Sequence, residues 1–75
     1  MRVYPNPVKD ILHVETSGKA TFSLINQSGK ILLVTNINGT GSIDISTLTS
    51  GLYYLKNNST QEVQKIVIAR ESLNG

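Results

Sequence analysis

The chain has 75 residues, no cysteine, 39% apolar residues and a formal net charge of +2. That length allows one domain at most, with a small core, because a chain of this size removes only about 60% of its unfolded surface from water. Neither a disulfide nor a thiolate metal cage can staple it, no apolar run reaches membrane-spanning length, and its cations stand singly, without the basic stripe and aromatic platforms of a nucleic-acid binder.

The amino end, Met1-Arg2, leads into Tyr4-Pro5-Asn6-Pro7 with no secretory leader before it, as in a segment cut from a longer protein. Each proline fixes its own φ and holds the residue before it, Tyr4 or Asn6, in an extended conformation. The segment is predicted to enter extended, break at Asn6 and turn into the next strand. Beyond it, turn signals recur at even spacing: Ser17-Gly18, Ser28-Gly29, Asn38-Gly39, Ser50-Gly51 and Asn57-Asn58-Ser59. The runs between them are rich in Ile, Val, Leu, Tyr and Thr and predict strands over 2–4, 11–16, 20–26, 30–36, 41–46, 51–57 and 62–69. Asn38-Gly39 is the strongest local hairpin signal among them, because both residues tolerate positive φ. Ser46-Thr47-Leu48-Thr49 reads as a crossing loop that drops Leu48 into the core.

Alternation assigns the faces. Leu12 and Val14 oppose Ile11, His13 and Glu15; Phe22 and Leu24 oppose Thr21 and Ser23; Ile43 and Ile45 oppose Asp44; Tyr53 and Leu55 oppose Leu52 and Tyr54. Ile31-Leu32-Leu33-Val34 and Ile66-Val67-Ile68-Ala69 are apolar on both faces, which suits a strand covered on both sides or one that awaits a partner. Lys65 and Arg70 bracket the second of these runs, a common protection for an exposed strand. The fold predicted from this spacing is all-β, a sandwich or barrel of short strands around Leu12, Phe22, Leu24, Ile45 and Tyr53.

Candidate chemistry is thin. His13 with Asp10 and Glu15 could be drawn as a metal corner, but on a strand Asp10 lies on the face opposite His13 and Glu15, and a cation needs three or four convergent ligands. No serine or threonine has the sequence context of an activated nucleophile, so no enzyme activity is expected and no cofactor. The triplets at Asn26, Asn38 and Asn58 read as turn chemistry rather than glycosylation. Tyr53 follows a glycine corner, where its hydroxyl either bonds back across the corner or the ring simply packs in the core.

In order along the chain stand Val3-Tyr4-Pro5-Asn6-Pro7; Asp10 with Leu12 and Val14; Leu24-Ile25-Asn26-Gln27-Ser28-Gly29-Lys30; Ile43-Asp44-Ile45-Ser46 with Leu48; Gly51-Leu52-Tyr53; and Lys65-Ile66-Val67-Ile68. In this order and spacing the chain resembles the type A carboxyl-terminal sorting domain of the type IX secretion system of Bacteroidetes. The resemblance covers nearly all of residues 3 to 70, which sets the domain at 1–70 and leaves 71–75 as a tail, either native or appended.

The resemblance implies an all-β, immunoglobulin-like antiparallel β-sandwich of about seven short strands, and a delivery label that catalyses nothing. Such a label sits at the carboxyl end of a larger cargo protein that has reached the periplasm. The outer-membrane translocon reads the folded label, and a cell-surface sortase then removes it, here upstream of Tyr4, leaving the cargo at the cell surface or secreted. The motif residues carried over are Tyr4, Pro5, Asn6, Pro7, Asp10, Gly29, Lys30, Gly51 and Tyr53. Lys56, Lys65 and Arg70, on the last two strands and just beyond, are the expected translocon-binding surface. The partners implied are the translocon and the sortase, with no nucleic acid and no membrane insertion; an exposed edge strand would also allow two copies to pair. The rival reading is a carbohydrate-binding or adhesive β-sandwich module, for which only Tyr54 offers an outward aromatic.

Overall fold

The computed structural model describes residues 1–70; the tail expected at 71–75 lies outside the described residues. Five strands form: β1 Arg2–Tyr4, β2 Ile11–Asn26, β3 Ile31–Asp44, β4 Gly51–Asn57 and β5 Val63–Ile68. All five join one antiparallel sheet, in the order β1-β2-β4-β5, with β3 along the other side of β2. The all-β antiparallel expectation therefore holds, while the strand count does not.

The difference from about seven strands has one cause. The segments predicted at 11–16 and 20–26 run on as the 16-residue β2, and those at 30–36 and 41–46 as the 14-residue β3. Ser17-Gly18 and Asn38-Gly39 are not hairpin turns. They lie opposite one another inside the β2–β3 pair, where β2 takes four steps from Glu15 to Lys19 while β3 takes two from Thr40 to Asn38. β2 thus carries two extra residues, and such an offset bends and twists a strand pair. Gly39, at φ 80°, takes the left-handed backbone that Asn-Gly favours, but uses it to bend a strand.

The hairpin that joins β2 to β3 is made at the weaker signal. Asn26 O accepts from Gly29 N at 3.0 Å, and Asn26 N donates to Lys30 O at 2.9 Å. The Asn26 Oδ1 accepts from Ser28 N and Lys30 N at 2.9 and 3.0 Å. Gly29 at φ 88° closes this three-residue loop in the left-handed region.

One face of the sheet is buried throughout. Leu12, Val14, Ala20, Phe22, Leu24, Ile37, Ile43, Tyr53, Leu55, Ile66 and Ile68 join Val8 and Ile45 in a single core. The face assignments made from alternation are those observed, and Leu12, Phe22, Leu24, Ile45 and Tyr53 are all buried. Each such aliphatic or aromatic side chain contributes about 1.5–3 kcal/mol by leaving water. Leu48 packs against this core half-buried.

Candidate recognition surface

The proline motif works as an edge closure. After β1, residues 5–10 carry the chain from the β1 edge of the sheet to the β5 edge. There Val8 N donates to Val67 O at 2.8 Å and Val8 O accepts from Ala69 N at 2.9 Å. The Asn6 side chain extends this short parallel pairing by one step: its Nδ2 donates to Lys65 O at 3.0 Å and its Oδ1 accepts from Val67 N at 2.9 Å. Both X-Pro bonds, Tyr4-Pro5 and Asn6-Pro7, are cis. The outer edge of β5 from Lys65 to Ala69 is thereby paired, so this strand is not the one that awaits a partner.

Tyr4 turns away from the prolines. It faces His13 across the β1–β2 pair and stacks on it with ring centroids 5.3 Å apart. Its hydroxyl donates to Glu15 Oε2 at 3.0 Å, and that bond to a carboxylate is the chief reason its pKa lies above the ordinary 10.0. Arg2 lies 4.9 Å above the Tyr4 ring and 3.6 Å from Glu15 Oε1. His13 and Glu15 share the outer face, as alternation predicts, in a solvated cross-strand cluster.

Other motif residues converge on one end of the domain. Asp10 O accepts from Ile45 N at 2.8 Å, and Asp10 Oδ1 lies 3.7 Å from Arg70 Nε. The Arg70 guanidinium donates to the carbonyls of Ile45 and Leu48, and Arg70 N donates to Ser50 Oγ at 3.2 Å. Tyr53, its ring buried, donates its hydroxyl to Thr49 O at 2.8 Å, four residues upstream. Both readings of Tyr53 are thus realised: it packs in the core and bonds back across the corner. Asn26, which organises the Gly29-Lys30 turn, pairs with Tyr53, and Gly51 pairs with Ile68. Asp44 caps the crossing loop by accepting from Ser46, whose hydroxyl first and backbone N–H second (2.9 Å) hold its carboxyl below the ordinary 3.8.

The three cations expected to form one surface do not stay together. Lys56 and Lys65 stand on adjacent strands, facing outward on the side away from the core. Lys56 pairs with Val63, and Lys65 with Tyr54. Arg70 is drawn into the loop over 45–50 as a strut. What surrounds the two lysines is apolar. One cross-strand row runs Val34, Ser23, Lys56, Val63; the next runs Ile31, Ile25, Tyr54, Lys65; Leu52 and Val67 continue the face. Val34, Val63 and Ile31 are 58%, 57% and 56% exposed. Sequence reasoning missed this face because it weighed the lysines alone; the signal was present in strands apolar on both sides.

These features define a class: a small β domain whose five strands pair antiparallel, with a closed end and an apolar outer face carrying two lysines, a form suited to being recognised rather than to chemistry. Among protein families, the one described as the secretion system C-terminal sorting domain matches residues 2–69. The chain belongs to that family, whose members are sorting signals of the type IX secretion system and not enzymes. Searches of curated proteins and of solved structures return no match.

Proposed function

We propose that this domain is the label by which the outer-membrane translocon takes up a cargo protein joined ahead of it, during passage from the periplasm to the cell surface. On this reading a surface sortase then removes the domain by a cut upstream of Tyr4. The label is read as a folded shape, with Lys56 and Lys65 and the apolar rows around them as the contact face. The observation that carries the reading is that Asn6, Asp10, Asn26 and Tyr53, all within the stretch matched by the family, are spent on closing the fold. Residues tied up in such bonds act on a partner through the shape they hold. The carbohydrate-binding rival finds Tyr54 half-buried and the Tyr4 ring already stacked on His13.

The test fuses the chain behind a periplasm-directed reporter in a host with a working type IX system. The reporter is expected at the cell surface or in the medium, freed of the domain's mass. A reporter that stays in the periplasm, as it does in a host lacking the translocon, overturns the proposal.

A further inference from the structure

The sheet treats its two long edges in opposite ways. The β5 edge is paired from Lys65 to Ala69 by Asn6 and Val8. β3 pairs with β2 alone, so along its 14 residues its outer side carries no strand among the described residues. Such an edge presents a row of backbone donors and acceptors, and protein sheets usually blunt it with lysine, proline or a covering segment. β3 has none of these, and its irregularities are a one-residue bulge at Leu32 and the bend at Gly39. From Ile31 to Ile43 it contains no charged residue and no proline, and it exposes Ile31 and Val34.

We propose that the outer edge of β3 pairs, antiparallel, with β3 of a second copy of this chain. Charge selects both the occupant and the direction. Lys30 immediately precedes the strand and Asp44 ends it. Antiparallel pairing brings the Lys30 end of one copy toward the Asp44 end of the other at both ends of the joint. Parallel pairing sets like against like. Between the ends no charge repels, because the strand holds none. A two-fold axis perpendicular to the sheet keeps the buried faces of both copies on one side, so the paired sheet is continuous and Ile31 and Val34 of each copy lie toward the Asp44 end of the other. Backbone hydrogen bonds supply the attraction and are indifferent to side-chain detail.

Sedimentation of the 75-residue chain over a concentration series reads the result. A dimer is expected. Val34→Lys and Val63→Lys distinguish edge pairing from stacking of the two outer faces, since both positions lie on that face, in one row, at 58% and 57% exposure. Val34→Lys counts twice across a symmetric joint and is expected to weaken the dimer roughly tenfold or more, whereas Val63→Lys leaves it intact. A chain that stays monomeric at its highest soluble concentration overturns the inference. So does a dimer that survives Val34→Lys, or one that Val63→Lys dissolves. Circular dichroism of each variant establishes that it is folded; where Val34→Lys fails to fold, Lys30→Glu, which sets like charges at both ends of the joint, takes its place with the same expected weakening.

Discussion

The side-chain amide of Asn6 sits against the backbone of Val67, accepting its N–H at 2.9 Å while donating to the carbonyl of Lys65 at 3.0 Å. A side chain here takes the place of a peptide group, and the edge of β5 is continued by one residue of a segment whose flanking prolines have no N–H to offer. Asparagine fits because its carboxamide carries both a donor and an acceptor at the end of a short stem.

Asn6→Ala is accordingly expected to destabilise the fold by about 1 kcal/mol, the lower part of the range for two hydrogen bonds near solvent. Asn6→Asp keeps the acceptor for Val67 but turns an anion on the Lys65 carbonyl, so it should do no better. Urea unfolding of the three chains measures this. An unchanged midpoint in both variants would show that Val8 alone holds the edge.

Tyr53→Phe removes the bond to Thr49 O and the 3.3 Å contact with the Thr49 hydroxyl while leaving the buried ring in place. The expected loss is about 1 kcal/mol, the net worth of a hydrogen bond whose carbonyl partner is left behind. Thermal unfolding should place Tyr53→Phe below the parent, and Tyr54→Phe, on the half-buried outer face, close to it. Equal melting of the two variants would return Tyr53 to a packing role only.

The Asp44 carboxyl is held below 3.8 by hydrogen bonds from Ser46. A carboxyl depressed in the folded state contributes stability that is complete above its unfolded value and is lost as pH falls through the folded one. Stability should therefore decline as acid is added below about pH 4, the region where an unfolded aspartate begins to protonate. In Asp44→Asn that part of the decline should be missing. Chemical unfolding at a series of acidic pH values compares the slopes, and parallel slopes in parent and variant would count against the Ser46 bonds as its source.

Lys56 and Lys65 share the outer face, whereas Arg70 braces the loop of Ile45 and Leu48. Reversing Lys56 and Lys65 together should cut reporter export several-fold while the urea midpoint moves by less than about 0.5 kcal/mol, as is usual for surface changes. Arg70→Ala should lose export in step with stability, and Arg70→Lys should not restore it, because an ammonium cannot reach two carbonyls in the geometry of the guanidinium fork. Full export from the double lysine reversal would remove those residues from the contact face.

Much of this was legible in the chain before folding was considered. Alternation placed Leu12, Val14, Phe22, Leu24, Ile43, Tyr53 and Leu55 on the inner face because side chains on a strand alternate whatever the strand pairs with. The proline motif and the spaced glycines were legible for a similar reason: restricted or permissive φ belongs to the residue itself. Gly18, Gly29 and Gly39 all take positive φ.

What such a glycine does with that freedom belongs to the tertiary structure. Gly29 turns the chain because the segments beside it pair with each other; Gly39 only bends it because the segments on both its sides pair with β2. The same holds for the cations. Sequence placed Lys56, Lys65 and Arg70 near the end of the chain, but only the packed loop over 45–50 supplied the carbonyls that draw Arg70 inward. Residue type and alternation are local properties and are written in the sequence. Which strand lies beside which, and so which edge is sealed and which left open, is settled by hydrogen bonds between residues far apart along the chain, and those exist only once the sheet has assembled.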